Sequence, residues 1–192
     1  IYWALHGCKM SAIDIDPRVL RQYQYARYLC RPDLIGNGLR AYVQDASQTA
    51  FADSSFDLIT CISAVEHFVD DGDICFMQQA NRLLRDGGRM FLSFGIGPEY
   101  REGQWAWMFC RTYDESALRQ RILAPSGMRV EAMMYFEAES TRQFSQRWNR
   151  LPLIVRNGVL GWLQRPLFEY MYPREQATAS DAYYLGIVLR KV

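Results

Sequence analysis

Two short apolar runs each end on an acid. AIDIDP (12–17) carries Asp14, and VQDA (43–46) carries Asp45 followed by Ala46. A carboxylate at a strand tip can accept hydrogen bonds from both hydroxyls of a ribose. A second carboxylate, one strand over, can accept from an exocyclic amine, and the next backbone N–H can donate to a ring nitrogen. Asp14 suits the first role, and Asp45 with the Ala46 N–H suits the second. A third run, FDLITCISAVEHF (56–68), exits into Ser63, Glu66 and His67. Histidine is the side chain most easily poised near neutral pH, so Glu66 and His67 are the acid–base candidates. Packing or orienting a substrate is the other role open to His67.

Plain structural roles stand beside these. Asp14 could cap a helix or sit solvated at a strand end, and Asp45 could be a turn residue. Asp16 precedes Pro17 and is the better N-cap candidate. Asp57 opens its run and suits a structural pair. His6 suits a helix surface or a core.

These side chains meet only if the elements carrying them bring their tips to one rim. MSAIDI (10–15) reads as a strand, and Pro17 opens a helix carrying Val19, Leu20, Tyr23 and Ala26 at helical spacing, ending near Pro32. LRAYVQ (39–44) is a second strand after an Asn37-Gly38 turn. FDLITCIS (56–63) is a third, apolar enough to be covered on both faces. A helix over about 73–85, stopped by Gly87-Gly88, leads to RMFLSF (89–94) as a fourth strand. Strand alternating with helix predicts βαβ units, right-handed crossovers and a parallel sheet. In such sheets ligands sit at the carboxyl ends of the strands.

The pattern loosens after Phe94. Residues 94–113 are Gly-rich and aromatic and read as a long loop, with Trp105, Trp107, Phe109 and Tyr113 either packing it down or covering an acceptor. DESALRQRIL (114–123) is a helix with Asp114 as N-cap candidate. MRVEAMMYF (128–136) and AYYLGIVLRK (182–191) are strands. No repeat or linker interrupts the chain, so one domain over 1–192 is expected, with a loop and helical cap insertion around 95–113 and 138–180.

The chain has 192 residues, 49% hydrophobic and 22% charged, with 22 basic and 21 acidic residues for a net charge of +1. That balance excludes low-complexity disorder and gives no bulk field to hold a nucleic acid. Five scattered cysteines form no CxxC pair or zinc spacing, which suits reduced thiols in the cytoplasm and no metal. No apolar run reaches the roughly 20 residues that span a bilayer. The stretch 151–172 suits core packing, with contact to a membrane surface as the other reading.

The pieces GCKMSAIDIDP (7–17), VQDASQTAFADSSFDLITCISAVEHF (43–68) and NRLLRDGGRMFLSF (81–94) together resemble the class I S-adenosylmethionine-dependent methyltransferases, of the branch with a Glu-His pair after the fourth strand. The resemblance covers about residues 5–94 in order and spacing, and AYYLGIVLRK resembles the family's last strand. It implies an α/β, Rossmann-like three-layer αβα sandwich with a mostly parallel sheet. It implies S-adenosyl-L-methionine as cofactor, with Asp14 at the ribose, Asp45 and Ala46 at the adenine, Ser63 near the methionine end, and Ile15 also among the cofactor-binding residues. A small-molecule methyl acceptor is the implied partner.

The family also opens with a central strand and a D-x-G-x-G loop. IYWALHG (1–7) resembles the helix after that loop, so the resemblance places strand and loop before Ile1. A chain lacking both is expected to bind the cofactor poorly and to fold marginally. Two other readings stay open. One is a nicotinamide-dependent Rossmann oxidoreductase, although no Tyr-x-x-x-Lys pair is present and the lysines are Lys9 and Lys191. The other is a non-catalytic, methyltransferase-like binding module.

Overall fold

Short β-branched and apolar runs pair, and amphipathic segments cross between them. The computed structural model describes residues 7–29, 38–105, 108–136, 143, 147–148, 150–152, 154–155 and 182–192. The chain divides into two compact units, Ile1–Phe51 and Ala52–Val192.

In the first unit, β1 (Met10–Asp14) pairs in parallel with β2 (Leu39–Val43), in register from Met10 opposite Leu39 to Asp14 opposite Val43. A parallel pair needs a crossover. Helix α1 (Arg18–Leu29) lies within that connection. It starts where the Asp16 carboxylate accepts the Arg18 N–H at 2.9 Å, so Asp16 acts as the cap. Two details differ from the sequence expectation. Ile15 falls past the end of β1, and Leu20, expected on the apolar face of α1, is exposed.

In the second unit, a four-stranded sheet runs in the order β3 (Phe56–Ile62), β4 (Leu84–Gly95), β8 (Tyr184–Arg190), β7 (Arg129–Phe136). β3 and β4 are parallel, whereas β8 is antiparallel to both its neighbours. The parallel expectation therefore holds for β1–β2 and β3–β4, and the closing strand makes the larger sheet mixed. Helix α2 (Gly72–Leu83) follows a one-turn 3-10 helix, Val65–His67.

The core of this unit follows from period-2 alternation. Met90, Leu92 and Phe94 of β4 stand opposite Leu189, Ile187 and Leu185 of β8, and all six are fully buried. Burying each such side chain contributes about 1.5–3 kcal/mol. Phe76, Met77, Ala80 and Leu83 form the buried face of α2.

Gly87-Gly88 is not a helix stop. Helix α2 ends at Leu83 and β4 starts at Leu84. Between the pairs Phe56–Leu84 and Leu58–Arg89 the β4 strand carries extra residues, which bulge. Gly87 takes φ 74° there, and a Cβ on Gly88 would lie 2.8 Å from the Arg85 carbonyl oxygen. Glycines permit the bulge.

The stretch 94–113 is not a loop. It contains an antiparallel hairpin, β5 (Arg101–Trp105) and β6 (Met108–Thr112). Glu102 stands directly opposite Arg111, an opposite-charge pair that supports the register. Gly103 and the scattered aromatics hide the alternation in the sequence. Beyond it, Asp114 caps as expected, accepting the Ala117 N–H at 2.7 Å. The helix it starts is wound unevenly: α3 (Glu115–Ala117), a π-helical stretch Leu118–Leu123, then α4 (Ala124–Ser126). Asp57 pairs with Arg85 at 2.6 Å.

β3 is not covered on both faces. It is an outer strand of its sheet, with Leu58 46% and Ile62 63% exposed. An exposed apolar edge strand invites pairing between chains. Ile62→Lys is expected to raise the concentration at which the protein stays monomeric by light scattering. Its stability should stay within about 0.5 kcal/mol, as for most surface changes.

Most of 138–180, and His6 and Trp107, lie outside the described residues, and with them much of the expected cap and of the 151–172 stretch. No helix among the described residues is long and apolar enough to cross a membrane.

Candidate functional site

The parallel register of β1 and β2 puts their carboxyl ends at one rim. Asp14 is the last residue of β1, and Asp45 lies two residues past the end of β2. The Gln44 N–H donates to the Asp14 carbonyl at 3.0 Å, carrying the ladder on to the residue before Asp45.

Each carboxylate is set by its own following turn. Asp14 Oδ1 accepts the Asp16 N–H at 2.9 Å. Asp45 Oδ1 accepts the Ser47 N–H at 2.8 Å and the Ser47 hydroxyl at 2.7 Å. Such local turns are what short acidic side chains do. They also fix each carboxylate by one oxygen and leave Oδ2 without a hydrogen-bond partner among the described residues. Both aspartates are exposed, and Ile15 is 72% exposed beside them. The Ala46 N–H, half-buried, likewise has no acceptor among the described residues.

In the second unit the exit of β3 is shaped by backbone. The Ser63 N–H donates to the Ser93 carbonyl at 2.8 Å, and Ser63 then takes φ 46°. A non-glycine residue in the left-handed region turns the chain sharply and is held there by its surroundings. Val65–His67 forms the 3-10 turn that follows.

Glu66 is 4% exposed, and its Oε2 has no hydrogen-bond partner among the described residues. Burial holds its carboxyl above the usual carboxylate range. Burial, with the Glu66 charge adding, pushes the Cys61 thiol up to about 12, so that thiol is inert. His67 is half-buried, and its Nδ1 lies 2.7 Å from the Phe109 carbonyl oxygen. The turn puts Glu66 and His67 next to each other without a hydrogen bond joining them.

A raised acid favours its neutral form in the folded state, so Glu66 binds a proton more readily folded than unfolded. Its contribution to stability is present below its ordinary value and is lost as pH rises through the elevated folded value. Glu66→Gln is therefore expected to melt above the wild type at pH 7 and to lose that advantage at pH 4. Thermal melts across that range check it. Equal melting temperatures at pH 7 would show that the carboxyl is not strained there.

The sequence reading missed a buried ionic cluster behind this turn. Asp73, at the start of α2, is fully buried. It accepts from Tyr113 Oη at 3.0 Å and from both ends of the Arg121 fork, Nε at 2.9 Å and Nη2 at 2.8 Å. Arg111 Nη1 lies 3.5 Å from its Oδ1. Burial and the Asp73 charge push the Tyr113 phenol far up, so it remains a donor. Arg111, 1% exposed, also donates to the carbonyls of Phe68 and Asp70. The available signal was a lone arginine inside the aromatic run MFCRTY (108–113).

No group of three or more His, Cys, Asp or Glu suited to a metal occurs among the described residues.

Residues 1–92 match the family model described as a methyltransferase domain. A sequence search of the curated proteins finds no match. Solved structures resemble the chain in fold. A SAM-dependent methyltransferase from Methanosarcina mazei is 15% identical with TM-score 0.63, covering 100% of this chain and 85% of its own. Geranyl diphosphate C-methyltransferase from Streptomyces coelicolor, solved with geranyl diphosphate and S-adenosyl-L-homocysteine, is 15% identical with TM-score 0.66, covering 97% and 63%. The cyclase SpnF is 17% identical with TM-score 0.63, covering 96% and 66%. The chain thus spans less than two thirds of the length of the last two. These likenesses show the fold: α/β and Rossmann-like.

Proposed function

We propose, since residues 1–92 match the methyltransferase-domain model and the fold resembles that of solved SAM-dependent methyltransferases, that the protein transfers a methyl group from S-adenosyl-L-methionine to a small-molecule acceptor. One observation carries the reading. Two carboxylates stand at the same rim of a parallel strand pair, each with one oxygen tied in a turn and the other without a partner among the described residues. A ribose diol and an adenine amine are donors that such oxygens accept, and the Ala46 N–H can donate to a ring nitrogen.

Asp14 holds the ribose, Asp45 and Ala46 read the adenine, and the exposed Ile15 side chain offers the base an apolar face. Ser63, at its sharp turn, serves the methionine end. The cofactor supplies an activated methyl on a sulfonium, and the protein supplies binding and orientation. Holding an acceptor in line with water excluded does most of what this reaction needs. His67 takes the proton of a hydroxyl acceptor; for an amine or an activated carbon no base is required. Glu66 sits beside it as a buried carboxyl whose protonated form burial favours. The described cysteines are free thiols, and we place the protein in the cytoplasm.

A non-catalytic or differently catalytic reading has one observation in its favour, the cyclase among the fold neighbours. A single experiment separates them: incubation with methyl-labelled cofactor and panels of hydroxyl, amine and carbon acceptors, alongside titration with S-adenosylhomocysteine. Saturable binding with label transfer is expected. Binding without transfer to any panel supports the binding module. No binding at millimolar ligand overturns the cofactor assignment.

A further inference from the structure

A carbonyl oxygen only accepts. Because the Phe109 carbonyl lies 2.7 Å from His67 Nδ1, the proton of the neutral ring sits on Nδ1 and the bare lone pair on Nε2. Nε2 has no partner among the described residues. Free histidine in water prefers the opposite tautomer, so something must hold this carbonyl in place.

Arg111 does so, two residues along β6 from Phe109. Its guanidinium donates to the carbonyls of Phe68 and Asp70, the first and third residues after His67. On its outer side it meets Tyr100 Oη and Glu102 Oε2, both at 3.2 Å. Asp70 takes φ 51°, which turns its carbonyl towards the hairpin side of the loop. The strand carrying the acceptor is thereby fastened to the same turn that carries the imidazole.

We propose that Arg111 is the positioning residue for His67: by tying β6 to residues 68–70 it keeps the Phe109 carbonyl on Nδ1 and leaves Nε2 as the nitrogen free to take a proton. The use of that nitrogen rests on His67 being the base of the proposed methyl transfer; the tautomer itself does not.

The chain has two histidines, so isotope-labelled histidine gives two imidazole signals, and His67→Gln assigns them. At about pH 8.5, above the ordinary imidazole range, the wild type should show the Nδ1–H pattern at His67. Arg111→Lys keeps a cation beside Asp73 but cannot span both carbonyls. It should lose most of the Nδ1–H population in a protein whose near-ultraviolet circular dichroism is native. Arg111→Met should lose it as fully. Glu102→Gln, which touches only the outer side of Arg111, should leave the pattern unchanged. An Nε2–H ring in the wild type, or an Nδ1–H ring retained in folded Arg111→Lys, overturns the proposal. An Nδ1–H ring in a protein that transfers no methyl group leaves this positioning standing and overturns the proposed function instead.

Discussion

Asp73→Ala is expected to destabilise the unit Ala52–Val192 by about 3–5 kcal/mol, the usual cost of removing one partner from a buried ion pair. The cause is what the substitution leaves behind. Arg111 is 1% exposed and cannot reach water, so it would lose its buried counter-charge beside a cavity and keep only the half-exposed Glu102 carboxylate as an ionic partner among the described residues. Tyr113, fully buried, would lose the acceptor of its hydroxyl, leaving only the 3.4 Å contact to the Val65 carbonyl. Arg121 is about one-fifth exposed and can turn outward. Arg121→Ala should therefore cost less, about 1.5–3 kcal/mol for its charged hydrogen bonds, because Asp73 would keep Tyr113 and Arg111. Urea denaturation of the three proteins checks both magnitude and order. A loss below about 1 kcal/mol for Asp73→Ala would mean that the cluster orders the turn without stabilising it. Net stabilities of about 5–15 kcal/mol make the expected loss a large share of the whole.

The second large effect concerns the cofactor. Asp14→Asn and Asp45→Asn each keep a side-chain oxygen for the local turn but replace the unpartnered acceptor with an amide donor. Each should lower affinity for S-adenosylhomocysteine about tenfold or more, since charge-assisted hydrogen bonds are worth roughly 1.5–3 kcal/mol. Asp16→Ala is the control. It removes the cap of α1, costing about 1 kcal/mol of helix stability, and should leave affinity within about twofold, a few tenths of a kcal/mol. Ligand-observed nuclear magnetic resonance reaches millimolar affinities and suits this measurement. Unchanged affinity in both asparagine variants would remove Asp14 and Asp45 from the site and leave them as turn residues.

Much of the fold was legible because its strands are short and its punctuation is chemical. Asp16-Pro17 marks the start of α1, Asp114 marks α3, and the apolar runs at 10–15, 39–44, 56–63, 128–136 and 182–191 all became strands. The errors share a cause. Gly87-Gly88 resembles a helix stop because the residues that bulge β4 out of register with β3 cannot be counted from one strand alone. The β5–β6 hairpin is concealed because its register depends on Glu102 finding Arg111, a relation between positions nine apart. The coverage of β3 is a property of the sheet around it, not of its own apolar residues.

The candidate site divides in the same way. Asp14, Asp45 and the Ser63-Glu66-His67 exit could be picked out as candidates because each follows an apolar run that ends as a strand. Asp73 and Arg111 could not. A helix-start aspartate and a strand arginine are ordinary surface residues until the chain folds them inward against each other.

The π-helical stretch Leu118–Leu123 fixes a length as well as a shape. Arg121 lies within it and reaches Asp73 with both arms of its fork. Successive residues on an α-helix are about 100° apart around the axis, and the wider winding admits an additional residue per turn. Trimming one residue here without tightening the winding would swing the guanidinium about a quarter of the way round the helix, away from its carboxylate. Side-chain identities at the exposed Arg119 and Gln120 are open to drift, but those of Leu118, Arg121 and Ile122, and the residue count that sets which way they face, are not.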